Sequence, residues 1–395
     1  MDHIAVVGTS LAGLRAIETL RRDGFGGRIT AIGDEPHLPY DRPPLSKELL
    51  RGEWEPEQVV LRKQGLDDLD VELRTETRAV ALDVRRRTLA LHDGEEVTFD
   101  GLVIATGARP RTLPGQPNAP GVLTLRTLDD ALALRELMHA RPRVVVIGAG
   151  FIGAEVAASC RAQSLEVTVL EALPQPMVRG LGPELGAVIA AVHRDHGVDL
   201  RTGVQIDGIV ADPVVRGVRL ADGALVDADV VVVGIGVVPN TEWLDGSGLA
   251  IDNGVVCDAT CLAAPGIVAA GDVARWPNPR FDDQLMRLEH WTNATEQGVH
   301  AARRLLGDTT PFAPVPFVWS DQYDRKIQAV GVINADADVH IAHGSLEDRQ
   351  FVALFGSHGR IVGALGFNRA RFVMQYRRLI AERALWDEAL KHADQ

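Results

Sequence analysis

The stretch "RVVVIGAGFIGAEVAASCRAQS", Arg143–Ser164, decides the fold of this 395-residue chain. It contains an apolar strand, a turn of small residues and an amphipathic helix. The earlier stretch "HIAVVGTSLAGLRAIETLRRDG", His3–Gly24, repeats the same plan. Apolar strands that alternate with helices are typical of parallel sheets covered on both faces. The sequence therefore predicts two copies of one α/β unit.

Each copy continues in the same way after its first helix. The first has the strands "RITAIGDE", Arg28–Glu35, and "GLVIATGARP", Gly101–Pro110. The second has "EVTVLE", Glu166–Glu171, and "DVVVVGIGVVPN", Asp229–Asn240. Another apolar strand and glycine turn, "GIVAAGDVARW" at Gly266–Trp276, follows only after the second copy is complete. The simplest topology therefore inserts the second copy into the first.

The pattern changes from about Pro316 onward. Three segments there, beginning with "FVWSDQYDRKIQAVGV" at residues 317–332, alternate and break at turns, which indicates an antiparallel sheet. A final amphipathic helix is expected to bury Phe372, Tyr376, Leu379 and Ile380 on one face.

The predicted fold class is α/β, with two Rossmann-like dinucleotide-binding domains, the second inserted in the first, and a C-terminal α+β domain with an antiparallel sheet. Clusters of Pro, Gly and Asn suggest the boundaries. The predicted ranges are 1–112 and 247–315 for the first domain, 113–246 for the second and 316–395 for the C-terminal domain.

The composition narrows the class of protein. A formal net charge of −13 repels nucleic acid and anionic membranes on average, so neither is expected as a partner. Met1 leads almost directly into an apolar strand, and no apolar stretch reaches the ~20 residues that span a bilayer. We therefore expect a cytoplasmic protein without a secretory leader.

The cysteines, Cys160, Cys257 and Cys261, are too few and too uneven in number for a disulfide framework. The last two form a lone CxxxC, which more often marks two packing positions than a metal site, so no metal is expected. The absence of a CxxC motif removes the usual dithiol of a disulfide reductase.

The turn "GAGFIG" has the GxGxxG spacing that binds a dinucleotide pyrophosphate at a helix N-terminus. Gly148 allows the tight turn, Gly150 lets the phosphates approach, and Gly153 lets the helix pack on the strand. Glu171 ends the next strand, where a carboxylate holds a ribose 2′-hydroxyl and repels a 2′-phosphate. A nucleotide bound here is therefore expected to be NADH rather than NADPH. The alternative interpretation of the motif is a glycine turn that binds no ligand.

The first copy has "GTSLAG", in which Ser10 replaces the middle glycine. Asp34 and Glu35 follow the next strand and support nucleotide binding, although they also fit a solvated turn. Two nucleotide sites suggest two dinucleotides that meet, and the one that exchanges hydride with nicotinamide and stays bound is a flavin. Asp272, after Gly271 in "AAGDV", is placed to bond a ribityl hydroxyl, unless it only forms a turn.

Taken together, "GTSLAG", "PYDRPPLSK", "ATGARPR", "GAGFIGAE", "AAGDV", "EHWTNATEQG" and "FVWSDQYDRKIQ" resemble the FAD-dependent NADH:ferredoxin reductases. These serve cytochrome P-450 monooxygenases and aromatic-ring dioxygenases. The resemblance covers essentially the whole chain, in order. The wider fold is similar to that of glutathione reductase and of the apoptosis-inducing factor.

The resemblance implies two sets of cofactor contacts. The N-terminus of the helix in "EHWTNATEQG" is implied to point at the flavin pyrimidine, where its positive potential stabilises negative charge. Trp291 and Phe151 also fit ordinary core positions. The FAD set is Gly8, Ser10, Leu11, Ala12, Gly13, Asp34, Glu35, Arg42, Lys47, Val80, Ala105, Thr106, Gly107, Arg126, Gly271, Asp272, Glu289, His290, Trp291, Ala294 and Trp319. The NADH set is Gly148, Gly150, Phe151, Ile152, Gly153, Glu155, Glu171, Gly234, Ile235 and Gly236.

The implied reaction is hydride transfer from NADH to FAD, followed by transfer of single electrons to an iron–sulfur ferredoxin. The resemblance assigns catalysis to Lys47, near flavin N5, and to Glu155, which would face Lys47 and contact the nicotinamide carboxamide. A buried ammonium needs such a carboxylate partner. Otherwise Lys47 is a surface lysine and Glu155 an ordinary helix residue. Pro43-Pro44-Leu45 occupies the neighbourhood of the redox cysteine of the disulfide-reductase branch.

Ferredoxin recognition by an acidic chain requires a local basic patch. The candidates, which also fit a solvated helix face, are Arg303, Arg304, Arg371, Arg377 and Arg378. A monomer or weak dimer is expected. Two alternatives stay open: a reductase of rubredoxin, quinone or oxygen, and an NADH-binding flavoprotein that acts as a redox switch.

Overall fold

The computed structural model describes residues 1–393. The last two residues of the predicted C-terminal domain, Asp394 and Gln395, lie outside the described residues. The chain forms two compact units, which are described separately. Unit 1 contains Met1–Asp41, Val59–Arg109 and Val238–Pro316, and unit 2 contains Arg42–Gln58, Pro110–Val237 and the chain from Phe317 onward. The boundaries of the three predicted domains remain a prediction.

The helices and strands have the following bounds. The helices are α1 Leu11–Arg22, α2 Leu128–Met138, α3 Phe151–Ala162, α4 Val178–Asp195, α5 Trp291–Leu305, α6 Ala370–Ala381 and α7 Trp386–Ala393. The strands are β1 His3–Val7, β2 Arg28–Ile32, β3 Val71–Arg74, β4 Ala79–Asp83, β5 Thr88–Leu91, β6 Glu96–Thr98, β7 Gly101–Ile104, β8 Ala108–Pro110, β9 Val122–Leu123, β10 Arg143–Ile147, β11 Glu166–Glu171, β12 Asp199–Thr202, β13 Ile206–Ala211, β14 Val215–Leu220, β15 Leu225–Asp227, β16 Val230–Val233, β17 Val237–Pro239, β18 Val255–Val256, β19 Leu262–Ala264, β20 Ile267–Ala269, β21 Ala274–Asn278, β22 Gln284–Met286, β23 Phe317–Gln322, β24 Arg325–Gly331, β25 Asp338–Ser345, β26 Gln350–Ser357 and β27 Arg360–Phe367.

Unit 1 is built on a six-stranded sheet of order β19-β20-β7-β1-β2-β3. The pairs β20–β7, β7–β1, β1–β2 and β2–β3 are parallel, as the apolar strands predict. Helices α1 and α5 pack on it through buried residues such as Leu14, Ile17 and Ala301. Strand β20 returns to this sheet late in the chain, beside β7, which is the connectivity of an insertion.

Unit 2 contains a second parallel sheet of order β12-β11-β10-β16-β9. Its core combines apolar strand residues with one face of α3, including Val156 and Cys160. Leu50, from the segment that follows "PYDRPP", belongs to the same core. The fold class predicted from the sequence is therefore confirmed for both copies of the α/β unit.

The C-terminal part of unit 2 is a five-stranded antiparallel sheet of order β23-β24-β27-β26-β25, as predicted. Helix α4 packs on this sheet, where Leu185 and Ile189 share a core with Phe351 and Phe355. Because of this packing, strand β23 lies in the same unit as the second copy of the α/β plan.

Helix α6 buries a somewhat different face from the predicted one. Tyr376 and Ile380 are buried as expected, together with Val373, whereas Phe372 and Leu379 are half-buried. The helix is also not the last, because α7 follows it. No helix in residues 1–393 is long and apolar enough to cross a membrane.

Candidate active site

The two glycine turns have the same backbone geometry. Gly8 has φ +104° and Gly148 has φ +97°, a region that L side chains rarely adopt. A Cβ atom at Gly8 would lie 2.1 Å from the carbonyl oxygen of Ala105, and one at Gly148 would lie 2.4 Å from that of Gly234. Each turn thus packs against the residue that follows a neighbouring strand, and only glycine fits.

The helices that follow are packed just as closely onto these turns. A Cβ atom at Gly13 would lie 1.9 Å from the Gly8 carbonyl oxygen, and one at Gly153 would lie 2.1 Å from that of Gly148. The approach of helix to turn directs the first N–H groups of α1 and α3 outward at the strand ends.

The middle position of each motif needs no glycine backbone. Ser10 has φ −77° and ψ −164°, and Gly150 has φ −75° and ψ −176°. The serine therefore adopts the conformation of the glycine, and its hydroxyl makes no capping bond to α1. A Cβ atom at Gly150 would meet nothing within 4 Å. Both turns precede helix N–H donors, and the second also has open space at its middle position, which fits a dinucleotide pyrophosphate.

The acids after the second strands are not equivalent. Gly8 donates its N–H to the carbonyl of Ile32, as Gly148 does to Leu170, each at 2.8 Å. By this register the counterpart of Glu171 is Gly33, and Asp34 comes one residue later.

The two carboxylates also differ in their surroundings. Glu171 accepts the N–H groups of Ala149 and Leu173 at 2.7 and 2.8 Å, so backbone donors fix its orientation. The Asp34 side chain is 66% exposed and lies 3.6 Å from the Arg78 guanidinium. The neighbouring Glu35 accepts a hydrogen bond from Tyr40, which holds the start of the "PYDRPP" segment.

Several predicted FAD contacts converge in unit 1 beside the first turn of α5. Gly271 has φ +77°, and a Cβ atom there would lie 3.0 Å from that of Ala12 and 3.9 Å from that of Ala294. The N–H of Gly271 donates to Gln297 at 2.9 Å. Trp291, the first residue of α5, donates from its indole to Asp41 at 2.6 Å.

The start of α5 also carries buried polar atoms that have no hydrogen-bond partner among the described residues. These atoms are His290 Nδ1, Asn293 Oδ1 and Thr295 Oγ1. Desolvation lowers the pKa of His290 to about 4, so the ring is neutral near pH 7. Unpartnered buried polar atoms are costly in a finished site. Their presence beside a helix N-terminus fits a polar ring system such as the flavin pyrimidine.

The other predicted FAD contacts of unit 1 differ in their exposure and partners. Leu11 is buried, Val80 is 46% exposed, and Glu289 accepts from Arg287 at 2.7 Å. Arg287 also donates to the carbonyl of Asp272 at 3.1 Å.

The "ATG" turn of unit 1 is tied to the later chain. Thr106 donates its hydroxyl to the carbonyl of Asn240, and the Asn240 amide donates back to the Thr106 carbonyl, both at 2.9 Å. The Asn240 N–H also donates to Gly107 at 3.0 Å.

Unit 2 contains the remaining predicted FAD contacts. Arg42 precedes a short 3-10 helix, Pro43–Ser46, which has two prolines at its start. Its guanidinium donates to the carbonyl of Arg126, so two predicted FAD contacts meet. Trp319 on β23 stacks against Phe317, with ring centroids 6.1 Å apart.

Unit 2 also contains all of the predicted NADH contacts. Phe151 and Ile152 begin α3, with Phe151 half-buried and Ile152 46% exposed. Ile235 packs at the edge of the core around β16, and the Gly236 carbonyl accepts the N–H of Arg111 at 2.9 Å.

Lys47 and Glu155 form the ion pair that the sequence predicted. Lys47 Nζ lies 2.9 Å from Glu155 Oε2, and the two side chains are only 7% and 4% exposed. Glu155 Oε2 also accepts the hydroxyl of Ser46 at 2.5 Å, and Oε1 accepts that of Ser320 at 2.7 Å. The alternative of a surface lysine beside an ordinary helix residue is wrong, because both groups are buried.

One face of α3 holds the segment that carries Lys47. Glu155, Ser159 and Gln163 are spaced by four residues and therefore share that face. Ser159 donates to the carbonyl of Ser46 at 2.6 Å, and Gln163 donates to that of Leu50 at 3.4 Å. The four-residue spacing is a signal that the sequence analysis missed. Ser320 had no such signal, since it lies 165 positions from Glu155.

The cysteines are free thiols buried in the protein. Burial raises the pKa of Cys160 and of Cys257 to about 12 and also raises that of Cys261, so none is a reactive thiolate near pH 7. Among residues 1–393, no group of three or more His, Cys, Asp or Glu side chains is arranged to hold a metal ion.

The predicted basic patches are partly neutralised within each unit. In unit 1, Arg303 pairs with Asp23 at 2.9 Å, and Arg304 donates to a threonine hydroxyl at 2.8 Å. In unit 2, Arg378 lies 3.5 Å from Glu382 on α6. The role of these arginines in docking stays a prediction.

Comparison with known proteins agrees with this geometry. Residues 2–298 match the family model described as pyridine nucleotide-disulphide oxidoreductase, and residues 317–395 match the model described as reductase C-terminal. The chain is 40% identical over 383 residues to rhodocoxin reductase of Rhodococcus erythropolis, covering 96% of this chain and 89% of that protein.

Two further proteins are similar over nearly their whole length. The ferredoxin–NAD⁺ reductase component of the p-cumate 2,3-dioxygenase system of Pseudomonas putida is 35% identical, covering 98% of this chain and 95% of that protein. The structure of a covalent putidaredoxin reductase–putidaredoxin complex matches with a TM-score of 0.93 and 33% identity, covering 100% of this chain and 98% of that chain. The chain therefore belongs to the pyridine nucleotide-disulphide oxidoreductase family, within the group of ferredoxin reductases that carry the reductase C-terminal domain.

Proposed function

We propose that this chain is an NADH-dependent ferredoxin reductase. FAD, when bound, supplies the chemistry that joins a two-electron donor to a one-electron acceptor, because it takes up hydride and releases electrons singly. The relatives named above include reductases of a dioxygenase system and of putidaredoxin. The acceptor proposed for this chain is accordingly an iron–sulfur ferredoxin that serves a P-450 or a ring-hydroxylating oxygenase.

The observation that carries the proposal is the buried Lys47–Glu155 pair. An ammonium in a site closed to water stabilises developing negative charge more strongly than it does in water. We assign Lys47 to the negative charge that hydride brings to FAD. We assign Glu155 to holding Lys47 and to the nicotinamide carboxamide, since its Oε1 and Oε2 accept from two elements of unit 2.

The residues proposed to hold FAD fit their tasks. Ser10 offers a hydroxyl that makes no capping bond to α1, at a helix N-terminus suited to phosphate. Asp34 is exposed and so can accept from a ribose, and Arg42 supplies a cation for phosphate. The unpartnered polar atoms at the start of α5 support the assignment of that helix end to the flavin pyrimidine.

Glu171 supports the preference for NADH over NADPH. Two backbone N–H groups orient its carboxylate, which leaves lone pairs for a ribose 2′-hydroxyl. A 2′-phosphate beside this fixed negative charge is repelled.

A ferredoxin reductase differs from a disulfide reductase in the acceptor of the electrons. Pro43-Pro44-Leu45 precedes Lys47 where the disulfide-reductase branch has its redox cysteine, and the three thiols are buried. A thiol acceptor inside this chain is therefore not part of the proposal. A cytoplasmic location is part of it, because free cysteines fit a reducing compartment.

The test is an anaerobic stopped-flow experiment on the flavin-loaded protein. NADH is expected to bleach the flavin absorbance, and each NADH should then reduce two equivalents of a [2Fe–2S] ferredoxin. Rubredoxin, a quinone and oxygen serve as competing acceptors. If NADH does not reduce the flavin, the proposed function is wrong. If turnover is faster with rubredoxin, a quinone or oxygen, that acceptor and not ferredoxin is the electron partner.

A further inference from the structure

A chain of hydrogen bonds in unit 2 runs from Glu155 into the C-terminal sheet. Ser320 Oγ lies 2.7 Å from Glu155 Oε1, and Gln322 Nε2 lies 3.2 Å from Ser320 Oγ. Gln322 Oε1 in turn lies 3.0 Å from His193 Nε2. His193 Nδ1 lies 3.0 Å from the Tyr323 hydroxyl. This series of hydrogen bonds connects α3, β23 and α4.

The donor and acceptor atoms of these side chains fix the direction of every hydrogen bond in the series. The Gln322 amide nitrogen can only donate, so Ser320 accepts from it and gives its own proton to Glu155. The Gln322 amide oxygen can only accept, so His193 carries its proton on Nε2 and accepts at Nδ1 from Tyr323. Burial lowers the pKa of His193 to about 4, so the ring is neutral near pH 7. All donors therefore point toward the Glu155 carboxylate.

These groups are buried and are occupied with one another. Ser320, Gln322 and His193 are 0%, 2% and 3% exposed. Ser320 and Gln322 are two residues apart on β23, so both side chains lie on the same face of the strand. A buried network in which each group has its partner is rigid, and removing one member leaves the others unsatisfied. The buried hydrogen bonds therefore hold Ser320 in one position.

We propose that Ser320 is a positioning residue for the hydride step, held in place by Gln322 and His193. The inference rests on the proposed function. Lys47 and Ser46 both bind Oε2 of Glu155, so the hydroxyl on Oε1 fixes the rotation of the carboxylate about its axis. Without that hydroxyl the Glu155 carboxylate can rotate, and this rotation displaces the ammonium of Lys47, which is bound to Oε2.

The test compares three variants at Ser320 in the flavin-loaded protein. Ser320→Ala removes the hydroxyl, Ser320→Cys keeps the volume with a weak donor, and Ser320→Thr keeps the hydroxyl. Losing a hydrogen bond to a charged group predicts an about 10- to 100-fold slower flavin reduction at saturating NADH for Ala and Cys. The half-saturating NADH concentration should stay within about 2-fold, and Thr should restore the rate. Thr88→Val, which removes a buried hydroxyl on β5 in unit 1, is the matched control.

A second readout reports the hydrogen bond directly. The carboxylate stretching band of Glu155, isolated as the infrared difference from Glu155→Gln, should shift in Ser320→Ala and Ser320→Cys and return in Ser320→Thr. A parent-like rate and band in both hydroxyl-free variants would overturn the positioning role, as would a Thr variant no faster than Ala. If NADH does not reduce the flavin of the parent protein, the proposed function fails instead. If the flavin of Lys47→Met is reduced as fast as that of the parent, the role assigned to Lys47 fails, and the positioning role of Ser320 fails with it. If Lys47→Met is slow while the Ser320 variants are normal, only the positioning role fails.

Discussion

Breaking the Lys47–Glu155 pair one partner at a time should cost more stability than removing both partners. The two groups are 2.9 Å apart and 7% and 4% exposed, so each has lost nearly all of its hydration. Removing one member of a buried pair typically costs ~3–5 kcal/mol, because an uncompensated charge stays buried. Replacing both by apolar residues of similar volume is often close to neutral.

The remaining contacts decide where each variant falls in that range. In Lys47→Met the carboxylate keeps the hydroxyls of Ser46 and Ser320, so we expect a loss of about 3 kcal/mol. In Glu155→Met the ammonium keeps Ser46 Oγ at 3.4 Å, so we expect about 5 kcal/mol. The double variant should lose about 2 kcal/mol or less.

The assay is equilibrium urea unfolding at pH 7, followed both by tryptophan fluorescence and by far-UV circular dichroism. Agreement of the two transitions justifies a single free energy for each variant. The double-mutant cycle then gives the coupling between the two side chains. Additive losses, with the double variant near 8 kcal/mol by the sum of the two estimates, would show that the pair is not a buried unit.

Three further predictions follow from individual residues. Gly148→Ala should unfold at a lower temperature, because its Cβ atom would lie 2.4 Å from the Gly234 carbonyl oxygen. Gly150→Ala should keep the melting temperature of the parent, because its Cβ atom would enter open space, and should only weaken NADH binding in calorimetry. Glu171→Gln should reduce the NADH:NADPH ratio of kcat/KM by about 10-fold, because the charge that repels a 2′-phosphate is gone; an unchanged ratio would contradict its role. The pKa of His193 is about 4 in the folded protein and about 6.5 in the unfolded chain. The stabilisation from its neutral ring should therefore be fully present above pH 6.5, and the free energy of unfolding should fall by up to roughly 3 kcal/mol toward pH 4. Urea titrations in which His193→Gln loses just as much stability over this pH range would contradict this origin.

The sequence predicted the features that depend on local backbone requirements. Gly8 and Gly148 were identified because a tight turn with positive φ and a close carbonyl leaves room only for glycine. The parallel sheets were predicted because strands covered on both faces must be apolar throughout. The Lys47–Glu155 pair was predicted from the resemblance, since no spacing in the chain connects two residues 108 positions apart.

The sequence did not predict the features that depend on tertiary packing. Ser46 and Ser320 are ordinary polar residues until the Pro43–Ser46 helix and β23 each pack against α3. The offset between Asp34 and Glu171 was also hidden, because both acids end similar strings of apolar residues. Only the strand register shows that Gly33 stands where Glu171 does.

The role of Lys47 in hydride transfer is tested most directly by the single-turnover reduction of the flavin-loaded Lys47→Met variant by NADH. Lys63→Met, at an exposed lysine, is the matched control. We expect that Lys47→Met keeps its flavin but that this flavin is reduced at least about 100-fold more slowly, since ~3 kcal/mol of charge stabilisation is lost. The control should behave like the parent. Reduction of Lys47→Met at the parent rate would show that Lys47 does not stabilise the charge that hydride transfer brings to FAD.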